Sequence, residues 1–251
     1  MPLYLLDDAD AESFPPTRLA QQSPNGLLAI GGDLSPRRLL AAYSQGIFPW
    51  YSEGEPLLWW APNPRCVLRP EAVHVSRRWR RWLRHSSLTI TADRSYDAVI
   101  EACAAPRNDG GGTWIIPQMI AAYRQLHRLG YAHSVEVWSG EVLVGGLYGV
   151  SLGGAFFAES MFSSEENGSK VALLGLCRQL QSWGFGLIDV QMESAHLLSM
   201  GAQNWSRDRF EQHLASCFTR ESIRGAWSDL WDFGRSADLV KEPNAVGVTG
   251  A

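Results

Sequence analysis

Two carboxylates lie inside stretches that otherwise read as buried strands. Glu159 sits in Ala155-Phe-Phe-Ala-Glu-Ser-Met-Phe162, and Asp189 in Leu187-Ile-Asp-Val-Gln-Met192. An ionised carboxylate taken out of water is costly unless something pairs with it. Each therefore has a polar substrate to orient, or a buried arginine or a set of backbone donors to satisfy. Side chains on a strand alternate faces, so Asp189 and Gln191 are predicted on one face, with Ile188, Val190 and Met192 on the other. A carboxylate beside an amide, after an apolar run, suits the orientation of a polar substrate. Two such carboxylates in one chain favour a site over two separate structural pairs.

The second concentration of chemistry is basic. Ser76 is followed by Arg77-Arg-Trp-Arg-Arg-Trp-Leu-Arg84. On a helix, Arg77, Arg80, Arg81 and Arg84 line one face, spaced to follow a phosphate backbone. Trp79 and Trp82 either stack bases or pack the helix down, and the plain alternative for the arginines is a solvated face. The chain as a whole carries a formal charge of −4, so any nucleic-acid contact is local to this patch.

Other signals are weaker. Gly110-Gly-Gly-Thr-Trp114 does not open a helix directly after a strand, which excludes a dinucleotide fingerprint. Gly145-Gly146 and Gly153-Gly154 fall in strand patterns and suggest bulges or close backbone approach. No P-loop, zinc-protease or Ser-His-Asp signature appears, and the six histidines do not fall at metal-ligand spacings. No metal is expected. Cys66, Cys103, Cys177 and Cys217 are far apart and read as buried thiols of a cytosolic protein. The first residues have neither the basic start nor the apolar core of a signal peptide. No apolar run approaches the ~18 residues of a membrane span.

The elements that must position these groups follow from periodicity. The 251 residues, 11 of them Trp, suit one large domain with a smaller partner. Residues 1–64 are rich in Pro, Gly and aromatics and read as a small module leaning on a larger neighbour. Within it, Ser35 and Pro36 start a helix over 37–45 that Gly46 stops. From Cys66 the pattern predicts strands over 67–70, 88–91, 132–138, 141–150, 154–162 and 187–192. Helices are predicted over 77–84, 96–103, 117–129 and 169–183. Ser139-Gly140 is read as a tight hairpin turn. Antiparallel hairpins, then a helix, then a strand give an α+β chain with a mixed sheet over 65–230. Residues 231–251 read as a loose tail.

Several long strings together resemble the leucyl/phenylalanyl-tRNA–protein transferase family. They are Pro24-Asn-Gly-Leu-Leu-Ala-Ile-Gly-Gly-Asp-Leu-Ser-Pro36, Gly46-Ile-Phe-Pro-Trp50, Gly112-Thr-Trp114, Ala132-His-Ser-Val-Glu-Val-Trp138, Glu159-Ser-Met-Phe162 and Ile188-Asp-Val-Gln191. The likeness runs in order from about residue 14 to 215. It implies a small N-terminal domain plus an acetyltransferase-type (GNAT-like) domain, a cytoplasmic monomer and no cofactor. The implied reaction moves Leu, Phe and less often Met from aminoacyl-tRNA to proteins that begin with Arg or Lys, marking them for N-end-rule degradation. It also implies that Glu159, Asp189 and Gln191 are catalytic. Leu147, Phe156, Met161, Leu173, Leu176, Leu180 and Ile188 would line the donor side-chain pocket. Trp50 and Trp114 would lie near the tRNA 3′ adenosine, and Arg77, Arg78, Arg80, Arg81 and Arg84 would hold the acceptor stem. Leucine at 176 and 180, where the family can carry aromatics, implies room for phenylalanine.

Aminoacyl-tRNA is already an activated ester, so such an enzyme needs proximity and the management of one proton rather than a covalent nucleophile. Gln191 is suited to accept a hydrogen bond from the attacking amine. Asp189 is suited to orient or polarise that contact, and either Asp189 or Glu159 to attract the acceptor's cationic side chain. One rival is a small-molecule N-acetyltransferase, which would seat a pyrophosphate at the start of the helix at 169. The turn there, Ser163-Ser-Glu-Glu-Asn-Gly168, is acidic and argues against it. The other rival, a non-catalytic RNA or peptide module, leaves Asp189, Gln191 and Glu159 without a role.

Overall fold

A computed structural model describes residues 3–7, 9–106 and 115–241. Two sheets share the chain. The first is four-stranded, built from β1 (Tyr4–Leu6), β2 (Leu27–Gly31), β3 (Phe48–Pro49) and β4 (Leu58–Trp60) in the order β1-β2-β4-β3. Between β2 and β3, α1 (Pro36–Ser44) starts as its sequence dictates: the Ser35 hydroxyl accepts the Arg38 N–H and Pro36 fills the first turn.

The second sheet has seven strands. They are β5 (Arg65–Leu68), β6 (Thr89–Ala92), β7 (Ala132–Ser139), β8 (Val142–Leu152), β9 (Ala155–Ser163), β10 (Leu187–Asp189) and β11 (Gln203–Trp205). Their order is β11-β5-β10-β9-β8-β7-β6, antiparallel except for the parallel pair β9–β10. Helices α2 (Arg77–His85), α3 (Tyr96–Ala104), α4 (Pro117–Arg128), α5 (Gly168–Ser182), α6 (Ala195–Ser199) and α7 (Arg207–Cys217) complete the fold. This is the mixed-sheet plan read from the sequence.

Alternation along the strands divides the interior. Phe157, Tyr148 and Val150 pack with Tyr43, Tyr96, Tyr123 and Phe210 from α1, α3, α4 and α7. Phe156, Leu147 and Ile188 pack on the other face with Leu173, Leu176 and Leu180 of α5. Each of those three leucines has no exposed surface and contributes roughly 1.5–3 kcal/mol through burial. Leu28, Ala29, Leu39 and Trp59 of the N-terminal part belong to the same apolar cluster as Phe157, so the smaller sheet leans directly on the larger one. Gly145 has a structural role: a Cβ there would lie 2.5 Å from the Gly168 carbonyl carbon, so the α5 start, not a ligand, is what approaches β8.

Four expectations change. The strand over 187–192 ends at Asp189 because Gln191 adopts φ 56°, so strict alternation does not carry past Asp189. The hairpin turn falls one residue later, at Gly140-Glu141, with Gly140 at φ 60°. Residues 231–241 are not a loose tail. The Ile90 N–H donates to Gly234 O, Ser236 N–H to Leu88 O, and Leu239 and Val240 are buried in the α5-side core. The elements after Met192, namely α6, β11 and α7, had no counterpart in the periodicity reading; α7 supplies Phe210 and Leu214 to the core.

Candidate active site

The site forms where β10 ends. Asp189 is fully buried. Its carboxylate takes a two-pronged ion pair from Arg65 at the start of the neighbouring β5, with Nε to Oδ1 at 2.8 Å and Nη2 to Oδ2 at 2.7 Å. Oδ1 also accepts the Gln191 N–H at 3.0 Å. The Gln191 carbonyl in turn accepts the Cys66 N–H at 3.0 Å. Gln191 is thus held from both ends in its left-handed conformation. Of the alternatives read from the sequence, Asp189 takes the structural one: it pairs with a buried arginine and accepts the backbone N–H of Gln191, the residue beside the cleft.

Glu159 reaches the same place from β9. The β8–β9 register runs Gly149↔Ala158 and then Tyr148↔Ser160, which leaves Glu159 opposite no residue. It is the extra residue of a β-bulge, a device that re-aims a side chain. Phe157 and Glu159 share the tyrosine-lined face by ordinary alternation, and the extra residue is what returns Met161 to the leucine-lined one. Gly149 across the bulge tolerates no side chain, since a Cβ would stand 2.1 Å from Phe157 O and 2.5 Å from the Phe156 ring.

The Glu159 carboxylate is partly buried and well furnished with donors. Tyr123 Oη donates to Oε2 at 2.8 Å, and the Gln191 amide Nε2 lies 3.4 Å from Oε1. A hydroxyl carries one hydrogen. With the Tyr123 proton committed to Glu159, the 2.5 Å contact between the Tyr43 and Tyr123 hydroxyls is a bond donated by Tyr43. Burial pushes the Glu159 pKa up to about 7; the Tyr43 and Tyr123 hydroxyls pull it down, Asp189 pushes it up and Arg65 pulls it down. Burial also holds both tyrosines well above their ordinary range, so they remain donors.

These groups open onto a cleft of about 250 Å³ lined by Phe48, Pro49 and Trp50 on one side and by Glu159 and residues 190–193 on the other. Trp50 is held from behind: the Trp60 Nε1–H donates to Trp50 O at 2.6 Å, and the two rings stand 5.5 Å apart. A half-buried carboxyl that exchanges its proton near neutral pH, an amide and an aromatic wall face one space. That set can hold an amine, accept its proton and stack a flat group.

The remaining expected residues are distributed as follows. Leu147, Phe156, Leu173, Leu176, Leu180 and Ile188 come together in one cluster, each without exposed surface, and Met161 lies partly exposed at its edge. On α2, Arg77, Arg78, Arg81 and Arg84 are exposed and Arg80 partly so, and among the described residues none of the five has an ion-pair partner. Trp79 and Trp82 pack against the α5-side core, so they anchor that helix. Trp114 lies outside the described residues. Among the described residues no cluster of three or more His, Cys, Asp or Glu is arranged for a metal ion, and no helix is long and apolar enough to cross a membrane.

Two family models match the chain. Residues 67–215 match the leucyl/phenylalanyl-tRNA protein transferase model, and residues 32–63 match the model of that family's N-terminal domain. The chain belongs to this family. The leucyl/phenylalanyl-tRNA–protein transferase of Xylella fastidiosa (strain 9a5c) is 51% identical over 95% of this chain and 99% of its own. That of Xanthomonas campestris pv. campestris (strain B100) is 53% identical over 94% and 96%. Among solved structures, L-PGS from Bacillus licheniformis matches with a TM-score of 0.34 and 9% identity over 80% of this chain and 64% of that one, too slight a likeness to assign a fold.

Sequence reasoning singled out Glu159 and Asp189 but not Arg65, Tyr43 and Tyr123, which the structure places beside them. Arg65 was visible as a lone charge at the head of the apolar run Cys66-Val67-Leu68, the partner a buried aspartate requires. Tyr123 stood in the buried stripe of α4, where its hydroxyl needs an acceptor.

Proposed function

We propose that this protein transfers leucine or phenylalanine, and less often methionine, from aminoacyl-tRNA to the N-terminus of proteins that begin with Arg or Lys, marking them for N-end-rule degradation. The observation that carries the reading is the cleft where Glu159, with its pKa near 7, meets Gln191 and Trp50. In the reaction the acceptor's α-amine attacks the ester carbonyl. A C–N bond forms, the bond to the 3′ oxygen of the terminal ribose breaks, and one proton passes from nitrogen to that oxygen. Glu159 takes the proton from nitrogen and returns it to the leaving oxygen. The Gln191 amide orients the amine, and Trp50 stacks the terminal adenine. Juxtaposition alone supplies roughly 7–11 kcal/mol in favourable cases. Asp189 acts behind Gln191 rather than on substrate.

The two-part division at about residue 64 serves this chemistry, because the N-terminal part contributes Phe48, Pro49 and Trp50 to one wall and the larger sheet contributes the other. The parallel pair β9–β10 at the site supports an acetyltransferase-type plan for the larger part. The protein acts as a cytoplasmic monomer without a cofactor. Purified protein incubated with leucyl-tRNA and an Arg-initiated peptide is expected to lengthen the peptide by one leucine. Binding without transfer favours the recognition-module reading, and transfer from a small acyl carrier favours the N-acetyltransferase.

The donor side chain is assigned to the leucine-lined face, entering past Met161. Such a pocket separates large apolar side chains weakly, since a methylene is worth about 1–3 kcal/mol. Phenylalanyl donors are therefore accepted, while branching at Cβ keeps valyl and isoleucyl donors poor. Leu176→Phe is expected to lower stability by about 1–3 kcal/mol, as overpacking does, and to disfavour phenylalanine relative to leucine. Initial rates with both charged tRNAs test this, and an unchanged ratio makes the stripe core alone.

The α2 arginines are assigned to the acceptor stem. Replacing Arg77, Arg80, Arg81 and Arg84 with Ala is expected to weaken binding of every charged tRNA alike. It should also flatten the log–log salt slope, by up to about 3–4 if each arginine meets one phosphate. Binding titrations at several salt concentrations test it, and an unaltered slope would make the helix a solvated face only.

A further inference from the structure

Arg65 is buried, bears a full charge and has no place in the steps above. Besides its two bonds to Asp189, its guanidinium carbon lies 4.8 Å from the Phe48 ring centroid and 4.9 Å from that of Phe210. One planar group therefore touches three elements: β3 from the N-terminal sheet, the end of β10, and α7. Phe48 is followed by Pro49 and Trp50, the aromatic wall of the cleft. Asp189 holds the Gln191 N–H, and the Cys66 N–H next to Arg65 holds the Gln191 carbonyl. Both walls of the cleft are thus referred to one side chain.

We infer that Arg65 is a positioning residue for the transfer reaction, fixing the Phe48–Trp50 wall and the Gln191 amide in register through its fork to Asp189 and its seat between Phe48 and Phe210. The fork is what matters. A lysine keeps the charge but offers a point donor without the planar two-pronged geometry, and it stacks poorly between two rings. A residue that merely balances the buried Asp189 charge would tolerate that exchange. Displacement of a reacting group by about 1 Å lowers turnover by roughly a hundredfold.

The inference rests on the transfer reading, and two readouts separate its failure from failure of that reading. In the first, Arg65→Lys is expected to lower kcat by roughly a hundredfold with little change in KM for leucyl-tRNA, while circular dichroism stays native. Turnover near the wild-type value in a folded variant would overturn the inference. The second readout needs no turnover. Amide exchange at Gln191 is expected to accelerate roughly tenfold or more in Arg65→Lys, with β7 and β8 amides unchanged. Unchanged protection at Gln191 would overturn the inference even if wild-type protein transferred nothing. Should Arg65→Lys fail to fold, Arg65→Met with Asp189→Asn removes both charges and leaves no uncompensated one. It is expected to fold but to show the same faster exchange at Gln191 and the same loss of kcat. Protection and turnover like those of wild type in this double variant would show that Arg65 only balances a charge.

Discussion

Changing Glu159 to Gln is expected to lower transfer by roughly 10²–10⁴-fold, the range of general acid–base contributions. The amide still accepts the Tyr123 hydroxyl but cannot take a proton from the attacking amine. In wild-type protein, kcat/KM is expected to rise with pH through an acid limb near 7, because burial holds the Glu159 pKa at about 7 and only the carboxylate acts as base. The limb disappears in Glu159→Gln. Stability carries the opposite sign. The folded-state pKa is raised above the ordinary value, so the contribution of Glu159 is fully present below about pH 4.3 and is lost as pH rises through 7. Glu159→Gln cannot ionise, so its melting temperature is expected to improve relative to wild type between about pH 5 and 8. A variant that keeps both the limb and the rate would remove Glu159 from the chemistry.

Asp189→Ala is expected to remove activity and stability together. Deleting one partner of a buried pair leaves the other charge uncompensated, at a cost of about 3–5 kcal/mol. The fold is weakened because the Arg65 left behind is almost as buried as Asp189 itself. With the Gln191 N–H released as well, turnover should fall by roughly a hundredfold or more even well below the melting temperature. Denaturant unfolding and single-turnover rates measured on the same preparation separate the two effects. Wild-type turnover in the variant would mean that Gln191 is positioned by other contacts.

The legible parts of this chain were those governed by local chemistry. The Ser35-Pro36 start of α1, the β7–β8 pairing and the apolar stripe of α5 follow from caps and periodicity, and all three are present. Glu159 and Asp189 stood out because charge in an apolar run demands an explanation. What could not be read locally was non-local. The bulge at Glu159, which returns Met161 to the leucine-lined face, depends on register against β8. The left-handed Gln191 depends on Asp189 and Cys66. The packing of residues 234–240 depends on an edge, Leu88 and Ile90, that lies far away in the sequence. Periodicity reports which face is apolar, not which distant residue will meet it.

The most direct measurement is a crystal structure of the protein with a stable amide analogue of leucyl-adenosine. The expected complex has the adenine against Trp50, the amide carbonyl accepting a hydrogen bond from Gln191 Nε2, and the leucyl side chain entering past Met161 toward Leu173 and Leu176. An analogue bound elsewhere, with the cleft between Trp50 and Glu159 empty, would contradict the assignment of this cleft as the place where ester and amine meet.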